Sequence, residues 1–198
     1  PRPINISTFY NNKMSSMFVE SKFLPKTSSY FGISHNQIQP LFDYTFVNEN
    51  KSYTDYTITA VQLAFQWNPF SNYMQTPMGK IEYEKRHPKF SIQFTQTLPD
   101  LLDNDFVFSK IDFKTFYELP YLSGQKSSVL LQTGIAFGDV PITHLYSIVP
   151  NNLNREAILQ RITFAGKNSF ETMYFNEFFS NKYASLQLKH TFNKVRLG

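Results

Sequence analysis

The chain has 198 residues, a formal charge of +4, no cysteine, and an aromatic content of 17% made of 21 Phe, 12 Tyr and one Trp. That length holds one domain with a sizeable core, and the lack of cysteine excludes disulfides, thiolate metal sites and Cys nucleophiles. No run approaches the roughly 18 apolar residues of a membrane-crossing helix. Pro1-Arg2-Pro3 opens without a leader pattern and reads as the start of a processed or trimmed chain.

Taken in order, the segments read as strands. Met14–Phe23 is followed by a Pro-Lys-Thr-Ser-Ser break. Ser29–Ser34 and Leu41–Val47 read as short strands separated by His35–Pro40. Tyr56–Trp67 is longer, with Thr57, Thr59, Val61, Leu63, Phe65 and Trp67 on one face, and Asn-Pro-Phe-Ser-Asn after it is a turn. Gly79–Arg86 and Lys89–Thr97 read as a hairpin around His87-Pro88, with Phe90, Ile92 and Phe94 on one side. Leu98–Asn104 is a loop rich in Asp. Phe106–Glu118 carries Val107, Ile111, Phe113 and Tyr117 on one face. Lys110, Asp112, Lys114 and Glu118 oppose them and require water or mutual pairing, not lipid.

After the turn Pro120–Gln125 comes Ser127–Phe137, and then a long irregular stretch, 139–166. It holds the best helical window, Asn154–Arg161, which is short enough to be one turn. Phe170–Phe179 and Tyr183–Phe192 read as a final pair around Ser180-Asn181. In the last strand Ala184, Leu186, Leu188 and Phe192 alternate with Tyr183, Ser185, Gln187, Lys189 and Thr191. His190 stands on the otherwise apolar side, where an interfacial belt tolerates an amphipathic ring.

Eight to ten strands joined by hairpin-length turns point to an all-β, antiparallel, up-and-down order. Several exceed the mean globular strand of about 5–6 residues and reach the roughly 9–11 residues that cross a bilayer on a tilt. The reading is therefore a transmembrane β-barrel, or a large part of one, formed as a single region over 1–198 with 139–166 as its long loop. Its lipid-facing wall is Phe90, Ile92, Phe94, Val107, Ile111, Phe113, Ala184, Leu186, Leu188 and Phe192. Its lumenal wall includes Lys110, Asp112, Lys114, Gln187 and Lys189. A soluble barrel or sandwich around a small apolar ligand is the alternative for the same strands.

No catalytic, cofactor or metal constellation emerges. His35, His87, His144 and His190 are far apart and lack metal spacing. Asp100, Asp103 and Asp105 lack the glycine and terminal Glu of a calcium loop and read as an acidic loop. There is no Gly-x-Ser-x-Gly elbow, so a lipid hydrolase rests only on abundant Ser, Asn and four His. Lys85-Arg86-His87-Pro88-Lys89 is the densest basic cluster and lies between strands. Phe113 and Tyr117 point away from Lys114, which separates stacking from phosphate contact and argues against nucleic acid.

Several blocks resemble the large outer-membrane barrel proteins of Bacteroidota that carry an N-terminal carboxypeptidase-regulatory-like domain. The nearest runs from Phe164-Ala165-Gly166-Lys167-Asn168-Ser169-Phe170 through Asn176-Glu177-Phe178 to Ser180-Asn181-Lys182-Tyr183-Ala184, with His190-Thr191-Phe192 closing it. Gly79–Thr97 and Gly134 through Pro141 resemble further blocks. The likeness covers 60–198 and is thinner over 1–59. Asn181-Lys182-Tyr183 departs from the family's Asp-Arg-Tyr-like triplet, which leaves any ion pair built on that acid without its carboxylate.

The resemblance implies the C-terminal part of a larger barrel, a Gram-negative outer membrane, contact with its lipid, and a place among other envelope proteins. The expected role is structural or accessory, in an assembly, secretion or transport complex, and not enzymatic. Within the nearest block, Glu177 with Arg161 and Lys182 is the candidate lumenal ion pair; the plainer reading is a solvated carboxylate near a strand end.

Overall fold

The computed structural model describes residues 10–22, 24–41, 45–48, 51–99, 101–147 and 178–192. Its strands are β1 (Tyr10–Ser21), β2 (Thr27–Pro40), β3 (Phe46–Asn48), β4 (Lys51–Tyr53), β5 (Tyr56–Trp67), β6 (Asn72–Thr76), β7 (Gly79–Glu84), β8 (Lys89–Thr97), β9 (Phe108–Pro120), β10 (Lys126–Gly138), β11 (Tyr146–Ser147), β12 (Phe179–Ser180) and β13 (Lys182–Thr191). One 3₁₀ turn covers Ile142–His144.

Seven of these form one antiparallel sheet in the order β1-β2-β5-β8-β9-β10-β13. Each long strand pairs with the next long strand along the chain, the up-and-down order expected from the turns. The fold is all-β. The sheet is open: β1 and β13 are its edges, and no closed barrel forms among the described residues. No helix among them is long and apolar enough to cross a membrane.

β5 follows its sequence boundaries, and β9 and β10 lie within two residues of theirs. Two expectations need correction. His35–Pro40 does not separate two strands; it continues β2, and of 41–47 the described residues 46 and 47 belong to the small β3–β4 hairpin. The polar run misled because His35 and Gln37 point outward beside Thr59 and Thr57, while Ile38 points inward. Gly79–Arg86 and Lys89–Thr97 are not hairpin partners. β7 pairs with β6, and β8 pairs with β5 and β9. β13 pairs with β10, and the described end of the expected strand 170–179, Phe179–Ser180 (β12), pairs with β11. Residues 170–177 and the helical window 154–161 lie outside the described residues.

The strands end in two unlike rims. At one rim the connections are 22–26, 68–88 and 121–125; at the other they are 41–55, 98–107 and 139–181. A dry cluster of Ile38, Tyr56, Ile58, Phe106 and Phe108 sits under the second rim, with Tyr53 and Val140 packed against it. Phe106 seals it, its ring 5.0 Å from Tyr53 and 5.2 Å edge-on from Tyr56.

The loop before β9 also completes the free edge of β5. Thr57 N–H donates to Asp105 Oδ2 (2.7 Å) and Thr59 N–H to Asn104 Oδ1 (3.0 Å), while Asp105 N–H donates to Thr57 O (3.0 Å). Side chains of the loop thus stand in for strand backbone where β8 has stopped. Asp105 is occupied there, and among the described residues no group of three His, Asp or Glu side chains is placed to hold a metal. Asp100 lies outside those residues.

Candidate functional site

The register assigns every long-strand residue to one of two faces, because partners across an antiparallel pair point the same way. On one face Val19, Phe31, Leu63, Phe94, Ile111 and Ile135 form a row across six strands. The next row runs Phe65, Ile92, Phe113, Thr133 and Ala184, and the one after it Trp67, Phe90, Thr115, Leu131 and Leu186. No part of the described chain covers this face in its middle. Ile111 is 38% exposed, Ile92 45%, Leu186 60% and Leu188 73%.

Among the residues expected on the lipid-facing wall, Phe90 and Phe113 are half-buried, and Ile92, Phe94, Ile111, Ala184, Leu186 and Leu188 are exposed. Val107 and Phe192 flank β9 and β13 and are exposed as well.

The opposite face is polar. Ser28, Gln66, Ser91, Lys114, Gln132 and Ser185 form one row; Tyr30, Ala64, Gln93, Asp112, Gly134 and Tyr183 form the next. Lys110, Asp112, Lys114 and Gln187 are half-buried there, and Lys189 is exposed. A cleft of about 250 Å³ lies over these rows, lined by Gln66, Gln93, Asp112, Lys114, Gln132 and Tyr183 among others. Polar side chains are thus the more enclosed ones and apolar side chains the more exposed ones, the reverse of a water-soluble sheet.

Residues 139–147 form a strap over the polar face near the dry cluster. Asp139 N–H donates to Val107 O (3.2 Å), and the Tyr56 hydroxyl meets Thr143 Oγ1 at 2.7 Å. Lys110 Nζ donates to the His144 carbonyl (2.9 Å) and lies 4.2 Å from the centre of the Tyr146 ring, which is 4.6 Å from that of Tyr183. Gly134 makes the crossing possible: a Cβ there would come within 2.5 Å of Tyr183, 2.7 Å of Tyr146 and 2.8 Å of Asp112. Burial, reinforced by the Lys110 charge, pushes the His144 imidazole down to about 4. Burial and the Asp112 carboxylate raise the Tyr146 phenol above its ordinary value. On the opposite rim burial lowers His87, whose ring meets Phe116 edge-on at 5.0 Å.

Lys182 stands opposite Ile135 and is exposed, which puts it on the apolar side of the sheet. Glu177 and Arg161, its expected partners, lie outside the described residues, as do 148–166 of the long loop. His190 has a neighbour that spacing gave no hint of. Its Nδ1 is 2.8 Å from Ser127 Oγ, its register partner, and that hydroxyl also meets Tyr121 OH at 3.1 Å. Both residues are on the apolar face at its rim, and His190 packs against Phe192. The sequence signal was cross-strand pairing, readable only once β10 and β13 are known to be neighbours.

A family model described as "Family of unknown function (DUF5686) C-terminal domain" matches residues 4–197. No curated protein and no solved structure matches the chain.

Proposed function

We propose, from the premise that this chain belongs to the DUF5686 family as its C-terminal domain, that it is an outer-membrane β-barrel region serving an envelope complex. The observation that carries this is the exposed apolar face shared by all seven strands. Water does not favour leaving so much apolar surface bare, whereas hydrocarbon does. From Ile111 to Leu119 the face runs about 27 Å along β9 at about 3.4 Å per residue. Tilted by about 40° it spans about 20 Å, close to the apolar band of outer-membrane barrels.

In the proposal β1 and β13 are closed in the membrane, against each other or against further strands, because an open edge in lipid costs several kcal/mol per unpaired group. The polar face is then lumenal. The rim with connections 41–55, 98–107 and 139–181 faces outward, since barrels carry their longer loops there. A source in the Bacteroidota and a preceding carboxypeptidase-regulatory-like domain belong to the same proposal. The role is structural or accessory, in assembly, secretion or transport, with outer-membrane lipid and other envelope proteins as partners. Fractionation of native cells followed by co-purification from detergent tests it. Recovery with the outer membrane and in company with envelope proteins is expected; a protein in the soluble fraction, or one that always isolates alone, counts against it.

One observation favours a second reading, a lipid hydrolase: Ser127 and His190 are in hydrogen-bond contact on the apolar face. Among the described residues no carboxylate bonds to His190 to orient it, as an activated serine requires. Covalent labelling by a fluorophosphonate that is lost in Ser127→Ala establishes it, and absence of labelling removes it.

A further inference from the structure

We propose that the β6–β7 hairpin is an interfacial anchor, with its apolar face laid into the lipid leaflet beside the shorter-loop rim; this rests on the membrane reading above. The hairpin has two chemically opposed sides. Met74 and Ile81 are register partners, Tyr83 shares their side, and Met78 stands at the tip. They are 53%, 52%, 62% and 98% exposed, with Phe70 at the base 53% exposed. The other side carries Tyr73 opposite Glu82 and Gln75 opposite Lys80.

Which way each side faces is fixed by contacts. Asn68 Nδ2 donates to Tyr73 OH (3.1 Å), and Asn68 Oδ1 accepts from Gln66 on the polar face of the main sheet. Lys89, at the start of β8, pairs with Glu82 at 2.7 Å, and both are mostly shielded. The Ser71 hydroxyl braces the base: it donates to the Arg86 carbonyl and accepts from the Arg86 N–H. The polar side is thereby fastened toward the interior. The apolar side is turned outward, the same way as Trp67 and Phe90, whose stacked rings are 5.6 Å apart.

The hairpin therefore prolongs the apolar face past the end of the strands. A two-stranded hairpin is marginal on its own in water, and here a large part of its apolar surface has no cover among the described residues. Lipid is the occupant that the surroundings favour. The surface is continuous with the face assigned to hydrocarbon, it carries Tyr83, and exposed Lys85 stands beside it to meet anionic headgroups. Interfacial elements of this kind sit about 5–10 Å into the headgroup boundary.

Tryptophan fluorescence tests it in the full chain, reconstituted in phosphatidylethanolamine–phosphatidylglycerol vesicles with brominated acyl chains. Trp67, the one tryptophan of the chain, reports on the main face. In a Trp67→Phe background, Ile81→Trp is expected to be blue-shifted and quenched as strongly as Trp67 in the parent. Gln75→Trp, on the polar side, stays open to iodide. Both positions are exposed, so neither change threatens the fold. If Trp67 is quenched and the Ile81→Trp fluorescence is not, the anchor is overturned while the membrane reading stands. If that fluorescence becomes shielded only when envelope proteins are added, the surface belongs to a protein partner and the anchor is again overturned. If Trp67 itself escapes quenching, the membrane reading fails and takes the anchor with it.

Discussion

Two stretches of the same strands turn their apolar side chains to opposite sides of the sheet. Near the longer-loop rim, Tyr56 and Ile58 of β5 point to the interior, Ile58 with no exposure at all. Thr57 and Thr59 point the other way, and the Thr59 hydroxyl meets His35 Nδ1 at 2.9 Å. Farther along the same strand the parity switches: Leu63, Phe65 and Trp67 point out and are exposed, while Gln62 and Gln66 point in. β2 repeats the change from Ile38 inward to Phe31 outward, and β9 from Phe108 inward to Ile111 outward. The pairing is continuous through each switch, so no bulge has rotated the chain. Side-chain alternation is fixed by the pleat, and what reverses is the surroundings. The rim is built like a protein in water, with its own small core. The middle of the sheet is built to leave its apolar face uncovered.

Substitutions on each side of the switch separate the two regimes. The largest effect is expected at the rim core: Phe106→Ala removes the 1%-exposed ring that closes the cluster and costs about 3–5 kcal/mol, in detergent and in vesicles alike. Denaturant titration in both media checks it, and a loss seen only in vesicles would contradict a self-contained core.

Next is Ile92→Arg, between Phe65 and Phe113 in the middle of the apolar face. It is expected to cost about 2–4 kcal/mol in a bilayer. Gln37→Arg, exposed on the same face at the rim, should change stability by less than about 0.5 kcal/mol. Equal effects at the two positions would erase the distinction between the regions.

The smallest expected effect is a pH dependence of the strap. His144 titrates at about 4 when folded against 6.5 ordinarily, so above about pH 6.5 it is neutral in both states and contributes no pH dependence. As pH falls from there toward about 4, the unfolded chain takes up a proton that the folded one refuses. Stability then drops by at most about 3 kcal/mol, since a tenfold difference in proton affinity between the two states is worth about 1.4 kcal/mol. His87, also lowered by burial, adds to the same trend. Proteolytic cleavage within 139–147, followed from about pH 7 down to about pH 4, should accelerate in the parent and less so in His144→Phe. Equal acceleration in the two proteins would remove His144 as the cause.

The middle stretches of the long strands were legible because an exposed apolar face beside a polar one leaves a clear period of two, as at Leu63, Phe65 and Trp67 of β5. The rim was harder to read. Its reversed parity puts His35, Asn36 and Gln37 inside a strand, where they look like a loop. The β6–β7 hairpin hid for another reason: His87-Pro88 suggested a turn between neighbours, whereas β8 returns to β5 across the whole hairpin. Contacts such as Ser127 with His190, or Tyr146 over Gly134, join residues 63 and 12 positions apart and carry no local signature.

What the sequence by itself determined is that this is an antiparallel β protein whose strands have one apolar and one polar side, because alternation is a local consequence of the pleat. Only the tertiary structure decided which side stays open, where along each strand the sides exchange, and which segment crosses the polar face. Those depend on which strands become neighbours, and neighbouring is settled by pairing across long stretches of chain.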